Sequence, residues 1–197
     1  RGRGCRVAAW LRDGARGLCI DVVDLSRTAG DANDSGWRGG CMSIHIKICG
    51  FTEPTAIEAA VAAGVDAIGL VLDPSPRQLS LDAAVTLAQT IPPHIKCVAV
   101  CGRPTLDEIQ HIDARLAPDW IQLMADAIPD MPHGLSLLPA FEDGADLEAR
   151  VDAYLAQCGE SQPLILADGP RPGSGILADW DRVSRLADRA RLMLAGG

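Results

Sequence analysis

From residue 44 onward the chain switches repeatedly between two hydrophobic patterns: short apolar runs rich in Ile, Val and Leu, and longer stretches with apolar residues at helical spacing. The short runs predict strands at residues 44–49, 67–72, 95–101, 120–123, 135–141, 164–168 and 191–194. The longer ones predict helices at 54–63, 81–89, 105–115, 147–157 and 180–187. Strands alternating with helices imply parallel βαβ units with right-handed crossovers. Strand starts recur every 24 residues or so, roughly the period of the compact units of a (β/α)8 barrel. Seven strands are legible, so the expected fold is an α/β TIM barrel that is incomplete, with the last βα unit missing.

The first of these strands carries a two-sided pattern. Ile44, Ile46 and Ile48 share one face, and His45, Lys47 and Cys49 share the other. In a barrel covered by helices, the isoleucines meet the helices and the polar set points inward. Gly50 then turns the chain, and Thr52-Glu-Pro-Thr55 supplies helix-start chemistry. Cys49 is thereby placed at the carboxyl end of a strand, where barrel enzymes hold their reactive groups.

The first 41 residues differ in character. They hold seven Arg and no Lys against five Asp, a local charge of +2, whereas residues 42–197 carry −10. Glycines interrupt any helical period, although 7–11 and 18–25 have the apolar content of short elements. The scattered acids do not suit a transit peptide, and no apolar core is long enough for a secretory signal. The segment reads as disordered: either an upstream extension of the frame before a start at Met42, or an unstructured arm. Residues 42–197 then form the barrel domain, truncated at the C-terminus.

Composition narrows the partners. A net charge of −8 and 4% aromatic residues argue against nucleic acid, which needs basic surface and stacking platforms. No stretch is long and apolar enough to span a bilayer. The seven cysteines form no regular framework, which fits a reducing cytoplasm better than a disulfide scaffold. Cys97 and Cys101 lie four apart on one predicted strand with no second pair near in sequence, so they read as buried thiols, and no metal site is expected.

Lys47-Ile-Cys-Gly50, Asp66-Ala-Ile-Gly69, Ser75-Pro-Arg77, Val98-Ala-Val100, Ile121-Gln-Leu123, Leu166-Ala-Asp168, Gly173-Ser-Gly175, Asp179-Trp180 and Leu194-Ala-Gly-Gly197 occur in this order. In that series residues 42–197 resemble the phosphoribosylanthranilate isomerases of tryptophan biosynthesis. The resemblance implies an Amadori rearrangement of N-(5-phosphoribosyl)anthranilate to 1-(2-carboxyphenylamino)-1-deoxyribulose 5-phosphate, with no cofactor. It implies Cys49 as general base and Asp168 as general acid, with Lys47, Arg77, Gln122, Gly175, Gly196 and Gly197 contacting substrate. The expected partner is a small phosphosugar; monomer and homodimer are both open.

Residue chemistry agrees with those roles. Opening a furanose needs a proton on the ring oxygen, and the iminium that results makes the adjacent C2 proton acidic enough for a side-chain base. Lys47, two residues before Cys49 on the same face, favours a thiolate. Asp168 needs partial burial to hold its proton. Arg77 can grip the anthranilate carboxylate with two hydrogen bonds. Gly196 and Gly197 match the phosphate-binding glycines after strand seven, leaving the half of the site after an eighth strand without a counterpart.

The plainer readings are a turn-forming role for Asp168 before Gly169-Pro170, a simple ion pair for Lys47, and barrel filling for His45. The chain departs from the family at Met124, where a histidine is usual, and at Cys101-Gly-Arg103, where an aromatic residue and an asparagine are usual. The competing functional readings are a different phosphosugar barrel enzyme, which would need another acid/base set, and a non-catalytic remnant with open sheet edges.

Overall fold

The computed structural model describes residues 19–24, 44–127, 134–158, 163–171 and 176–195. Its strands are β1 (Cys19–Asp24), β2 (Ile44–Cys49), β3 (Ala67–Val71), β4 (Lys96–Val100), β5 (Trp120–Met124), β6 (Leu137–Glu142), β7 (Leu164–Asp168) and β8 (Arg191–Leu194). The helices are α1 (Pro54–Ala63), α2 (Leu81–Ala88), α3 (Leu106–Leu116), α4 (Leu147–Leu155) and α5 (Trp180–Ser184). Strands β2 to β8 pair in sequence order and in parallel, so all seven predicted strands are present.

The ring is nevertheless closed, because β1 lies antiparallel between β8 and β2. This corrects two expectations. Cys19–Asp24 forms a strand inside the segment read as unstructured, and the edges of the seven-stranded sheet are not both left open. Unpaired strand edges expose a row of unmet N–H and C=O groups, and a run with the composition Cys-Ile-Asp-Val-Val-Asp is a ready strand former. Its pairing with β2 runs from Cys19 opposite Cys49 to Asp24 opposite Ile44, while β8 meets only Val22 and Val23.

The two-period pattern of the sequence becomes layers. Outward residues of β2 to β5, including Ile48, Ile68, Leu70, Ile121 and Leu123, pack with Ile57, Ala84 and Ile109 of the helices. Outward residues of β6 to β8 form a matching cluster with Val151 and Val183. Leu138, Ala140, Leu166 and Met193 fill the interior, with Trp120 and Met124 packed against them. Each fully buried aliphatic side chain contributes about 1.5–3 kcal/mol, which makes the helix-facing layer the main source of stability.

Capping fixes where the helices begin above the strand ends. Thr105 Oγ1 accepts from the Glu108 N–H, and Glu108 Oε2 accepts from the Thr105 N–H, a reciprocal pair that starts α3. Ser80 Oγ accepts from Ala83 N–H at the start of α2. At α1 the expected side-chain cap is absent: Glu53 occupies the cap position without such a bond, and Pro54, pre-set in φ, starts the helix instead. Among the described residues, no helix is long and apolar enough to cross a membrane.

Candidate active site

Cys49 closes β2 at the carboxyl end of the parallel strands and is buried, as is Lys47 two residues before it. Ile46 and Ile48 join the helix-facing core, so the predicted division of the strand is present in the fold. Lys47 is only 1% exposed and is the sole buried charged residue among those described. Its Nζ donates a hydrogen bond to Cys49 Sγ at 2.6 Å. An ammonium at that distance stabilises the thiolate relative to the thiol.

Two glycines make room for this pair. Gly69 sits beside Cys49 in the β2–β3 register, and a Cβ there would overlap Cys49 Sγ. Gly50 turns the chain at φ +96°, a left-handed conformation that favours glycine, and its N–H donates to Gly69 O at 3.0 Å. Arg77 lies across that turn: a Cβ on Gly50 would fall 2.7 Å from its Cδ and 3.0 Å from its Nε. The loop after β3 directs it there. Leu79 N–H donates to Val71 O at 2.8 Å, Gln78 Nε2 to Leu72 O at 3.0 Å, and Arg77 N–H to Ser75 Oγ at 3.2 Å. Arg77 is half-buried, and its Nη1 is buried with no hydrogen-bond partner among the described residues. A guanidinium held in this way is set to take a carboxylate.

Gln122 lies on β5 between Ile121 and Leu123, which face the helices, so its own side chain is on the interior side. Its Oε1 is buried with no hydrogen-bond partner among the described residues. Asp168 ends β7, half-buried, with Oδ1 accepting from the Gly169 N–H at 2.7 Å and its backbone oxygen accepting from Asp143 N–H at 2.9 Å. The turn-forming role and the mouth position therefore coexist in this residue. Gly175, Gly196 and Gly197 lie outside the described residues.

The other polar groups read from the sequence take structural places. His45 Nδ1 is 3.3 Å from Asp66 Oδ1, and Asp66 Oδ2 accepts from Ile46 N–H. Burial pushes the Cys97 and Cys101 thiols up to about 12, helped by Asp119 at Cys97 and by Asp73 and Glu108 at Cys101. Both are inert thiols at neutral pH. Among the described residues, no group of three or more His, Cys, Asp or Glu is arranged to hold a metal ion.

Sequence reasoning missed Glu142, which ends β6 directly beside Asp168 in the parallel register. The signal was available: Leu138, Ala140 and Glu142 alternate on one face as Leu164, Leu166 and Asp168 do. Arg103, singled out only as part of a divergent loop, pairs with Asp126 at 2.6 Å and ties the loop after β4 to the segment after β5.

A buried thiol with an ammonium against it and a carboxyl at another strand end, both at the carboxyl end of the parallel strands, are groups that acid/base chemistry uses, and the fold is of the barrel-enzyme class. The sequence profile of N-(5'phosphoribosyl)anthranilate (PRA) isomerase matches residues 46–197. The N-(5'-phosphoribosyl)anthranilate isomerase of Acinetobacter calcoaceticus is 35% identical over 167 residues, spanning 79% of this chain and 77% of that one. The solved phosphoribosyl anthranilate isomerase of Thermotoga maritima superimposes with a TM-score of 0.62 at 26% identity, covering 77% of this chain and 76% of that one. TrpF from Jonesia denitrificans gives 0.53 at 34% identity, with 76% and 73% covered. The chain belongs to the N-(5'-phosphoribosyl)anthranilate isomerase family.

Proposed function

We propose that this site carries out the family's Amadori rearrangement in tryptophan biosynthesis with Cys49 as general base and Asp168 as general acid. The substrate is N-(5-phosphoribosyl)anthranilate and the product 1-(2-carboxyphenylamino)-1-deoxyribulose 5-phosphate. Asp168 gives its proton to the ribose ring oxygen; the C1–O bond breaks and the anilino nitrogen takes up the positive charge as an iminium. The Cys49 thiolate then removes the C2 proton, and the electron pair moves into an enol-amine that tautomerises to the ketose. Lys47 keeps the sulfur anionic before this step and holds it in place.

The observation that carries the reading is the 2.6 Å contact between Lys47 Nζ and Cys49 Sγ at the strand end over which Arg77 is laid. A base and a carboxylate-gripping cation stand side by side, as a substrate with a reactive C2 and an anthranilate carboxylate requires. Gln122 offers an acceptor inside the barrel to a substrate hydroxyl or N–H. Gly175, Gly196 and Gly197 are assigned to the phosphate through their backbone N–H groups.

Turnover of N-(5-phosphoribosyl)anthranilate by Cys49→Ala and by Asp168→Asn tests the assignment. Each is expected to fall by at least ~100-fold, the scale of a lost general acid or base, while the fold is retained. Near-normal turnover in either variant would remove that residue from its role.

A further inference from the structure

Strand β1 runs antiparallel beside β2 in a register that sets Cys19 opposite Cys49 and continues unbroken to Asp24 opposite Ile44. Opposite positions of an antiparallel pair lie on the same face of the sheet. Cys19 therefore occupies the interior face, at the strand end that carries Cys49, while Ile46 and Ile48 belong to the helix-facing core. The Cα atoms of such a pair stand ~4.5 or ~5.5 Å apart, according to whether the two residues exchange hydrogen bonds. A disulfide spans Cα separations of ~4.4–6.8 Å, so both cases lie within its reach.

We propose that Cys19 and Cys49 are a reversible oxidation site, in which a disulfide between them withdraws the general base and switches the isomerisation off. The proposal rests on the assignment of Cys49 as that base. Cys49 Sγ accepts from Lys47 Nζ at 2.6 Å and fills the space beside Gly69, where a Cβ would overlap it. Gly69 is on β3, on the side of β2 away from β1. Turning Sγ about the Cα–Cβ bond toward β1 takes it off Gly69 and breaks its bond to Lys47. The catalytic and the bridged arrangements exclude one another.

The oxidant is hydrogen peroxide, small enough to reach a side chain that is 7% exposed. The Cys49 thiolate, favoured by Lys47, attacks one peroxide oxygen. The O–O bond breaks, hydroxide leaves and takes up a proton, and the sulfur is oxidised to a sulfenic acid. The Cys19 thiol then attacks that sulfur: the S–O bond breaks, the S–S bond forms, and the hydroxyl leaves as water with the thiol proton. Two thiols are oxidised and one peroxide is reduced to two molecules of water. A dithiol reverses the bridge by exchange.

The other cysteines with described side chains stand elsewhere. Cys97 and Cys101, in and just after β4, pack into the helix-facing core, and Cys158 Sγ donates to Tyr154 O at 3.4 Å. The second neighbour of Cys49 within the sheet is Gly69, which carries no sulfur. Cys19 is therefore the cysteine in register with Cys49.

The test is treatment of the unaltered chain with excess hydrogen peroxide, read by non-reducing tryptic mass spectrometry and by turnover before and after dithiothreitol. A Cys19–Cys49 linked peptide should form. Turnover should fall by at least ~100-fold, the scale of a lost general base, and dithiothreitol should restore it. Cys19→Ser should keep the starting turnover, yield no such peptide and, once oxidised, recover little, because a Cys49 sulfenic acid without a resolving thiol runs on to the sulfinic acid. Absence of the linked peptide, or recovery as complete in Cys19→Ser as in the unaltered chain, overturns the proposal. The peptide readout needs no variant, so it decides the matter even if Cys19→Ser misfolds. Near-normal turnover in a bridged chain removes Cys49 as the base and the switch with it, whereas a missing bridge leaves the assignment of the base untouched.

Discussion

The Lys47 ammonium and the Cys49 sulfur lie 2.6 Å apart, from alternate positions of a single strand. The contact follows from the period of a β-strand, which returns the side chain to the same face every second residue. It is enclosed by the barrel, where the effective dielectric is low and one charge on another counts for more than in water. Burying that ammonium costs free energy, and the hydrogen bond to the sulfur offsets part of the cost.

Lys47→Met keeps length and apolar bulk while removing the charge. We expect kcat to fall 10- to 100-fold as the thiolate loses its stabilising cation, with thermal stability unchanged or raised, because a desolvated charge has been replaced by an apolar side chain. Steady-state kinetics and a thermal melt on the same sample check both. Unaltered kcat would show that the contact is structural only.

Gly69→Ala attacks the same pair from the neighbouring strand. The new methyl would occupy the space of Cys49 Sγ, so either the sulfur rotates away from Lys47 or the β2–β3 ladder shifts. Overpacking of this kind costs about 1–3 kcal/mol, and kcat should drop with it. Urea unfolding and turnover are the measurements; a fully active, fully stable variant would contradict the tight packing described.

Thiol reactivity should follow charge rather than access. Cys49 is 7% exposed and Cys97 is more exposed, yet burial and Asp119 push the Cys97 thiol to about 12, and Cys101 stands equally high. Brief iodoacetamide treatment near neutral pH, read by peptide mass spectrometry, should label Cys49 ahead of both. Labelling in order of exposure would mean that the Cys49 thiolate is not favoured.

What was legible in the sequence was local. The alternation of Ile46 and Ile48 against Lys47 and Cys49 fixed which face of β2 would meet the helices, because a two-residue period has only one burial solution. The roles assigned to Arg77 and Gln122 came from family resemblance, and the fold adds a buried atom on each that has no partner among the described residues. The position of Glu142 beside Asp168 escaped because it follows from a β6–β7 register spanning 26 residues, which no local pattern states. The run 18–25 had the apolar content of a short element, but the place of its strand Cys19–Asp24 in the ring escaped for a similar reason: that content had value only once β2 and β8 offered it edges.

Arg77→Ala should raise KM more than it lowers kcat, since its carboxylate grip is made with substrate and transition state alike. Arg77→Lys should recover little, because a single ammonium cannot reproduce the two-pronged geometry of a guanidinium. The ratio of effects on KM and kcat decides the matter. A pure kcat defect would place Arg77 in the chemical step instead.

Asp143 links Asp168 to the helix that follows it, and its behaviour with pH can be worked out in sign. Its carboxylate accepts from Arg182 Nη1 at 2.5 Å and from the Asp179 N–H at 2.7 Å, while its own N–H donates to Asp168 O at 2.9 Å. Burial alone would raise its proton affinity, but the hydrogen bonds from Asp179 and Arg182 and the Arg182 charge outweigh this and hold it below the ordinary carboxylate range. The unfolded chain therefore binds the proton more readily than the folded one. The stabilisation is complete above the unfolded value of about 3.9 and is lost as pH falls through the folded value. Asp143→Asn should be less stable than the unaltered chain at pH 7 by about 1–3 kcal/mol, the usual cost of breaking a buried, charge-assisted hydrogen-bond set. The gap should narrow steadily below about pH 4, where the aspartate is itself protonated. Urea midpoints of both chains at neutral and acid pH measure the gap directly, and a gap independent of pH would mean that packing, not the charge on Asp143, clamps the end of β6 to α5.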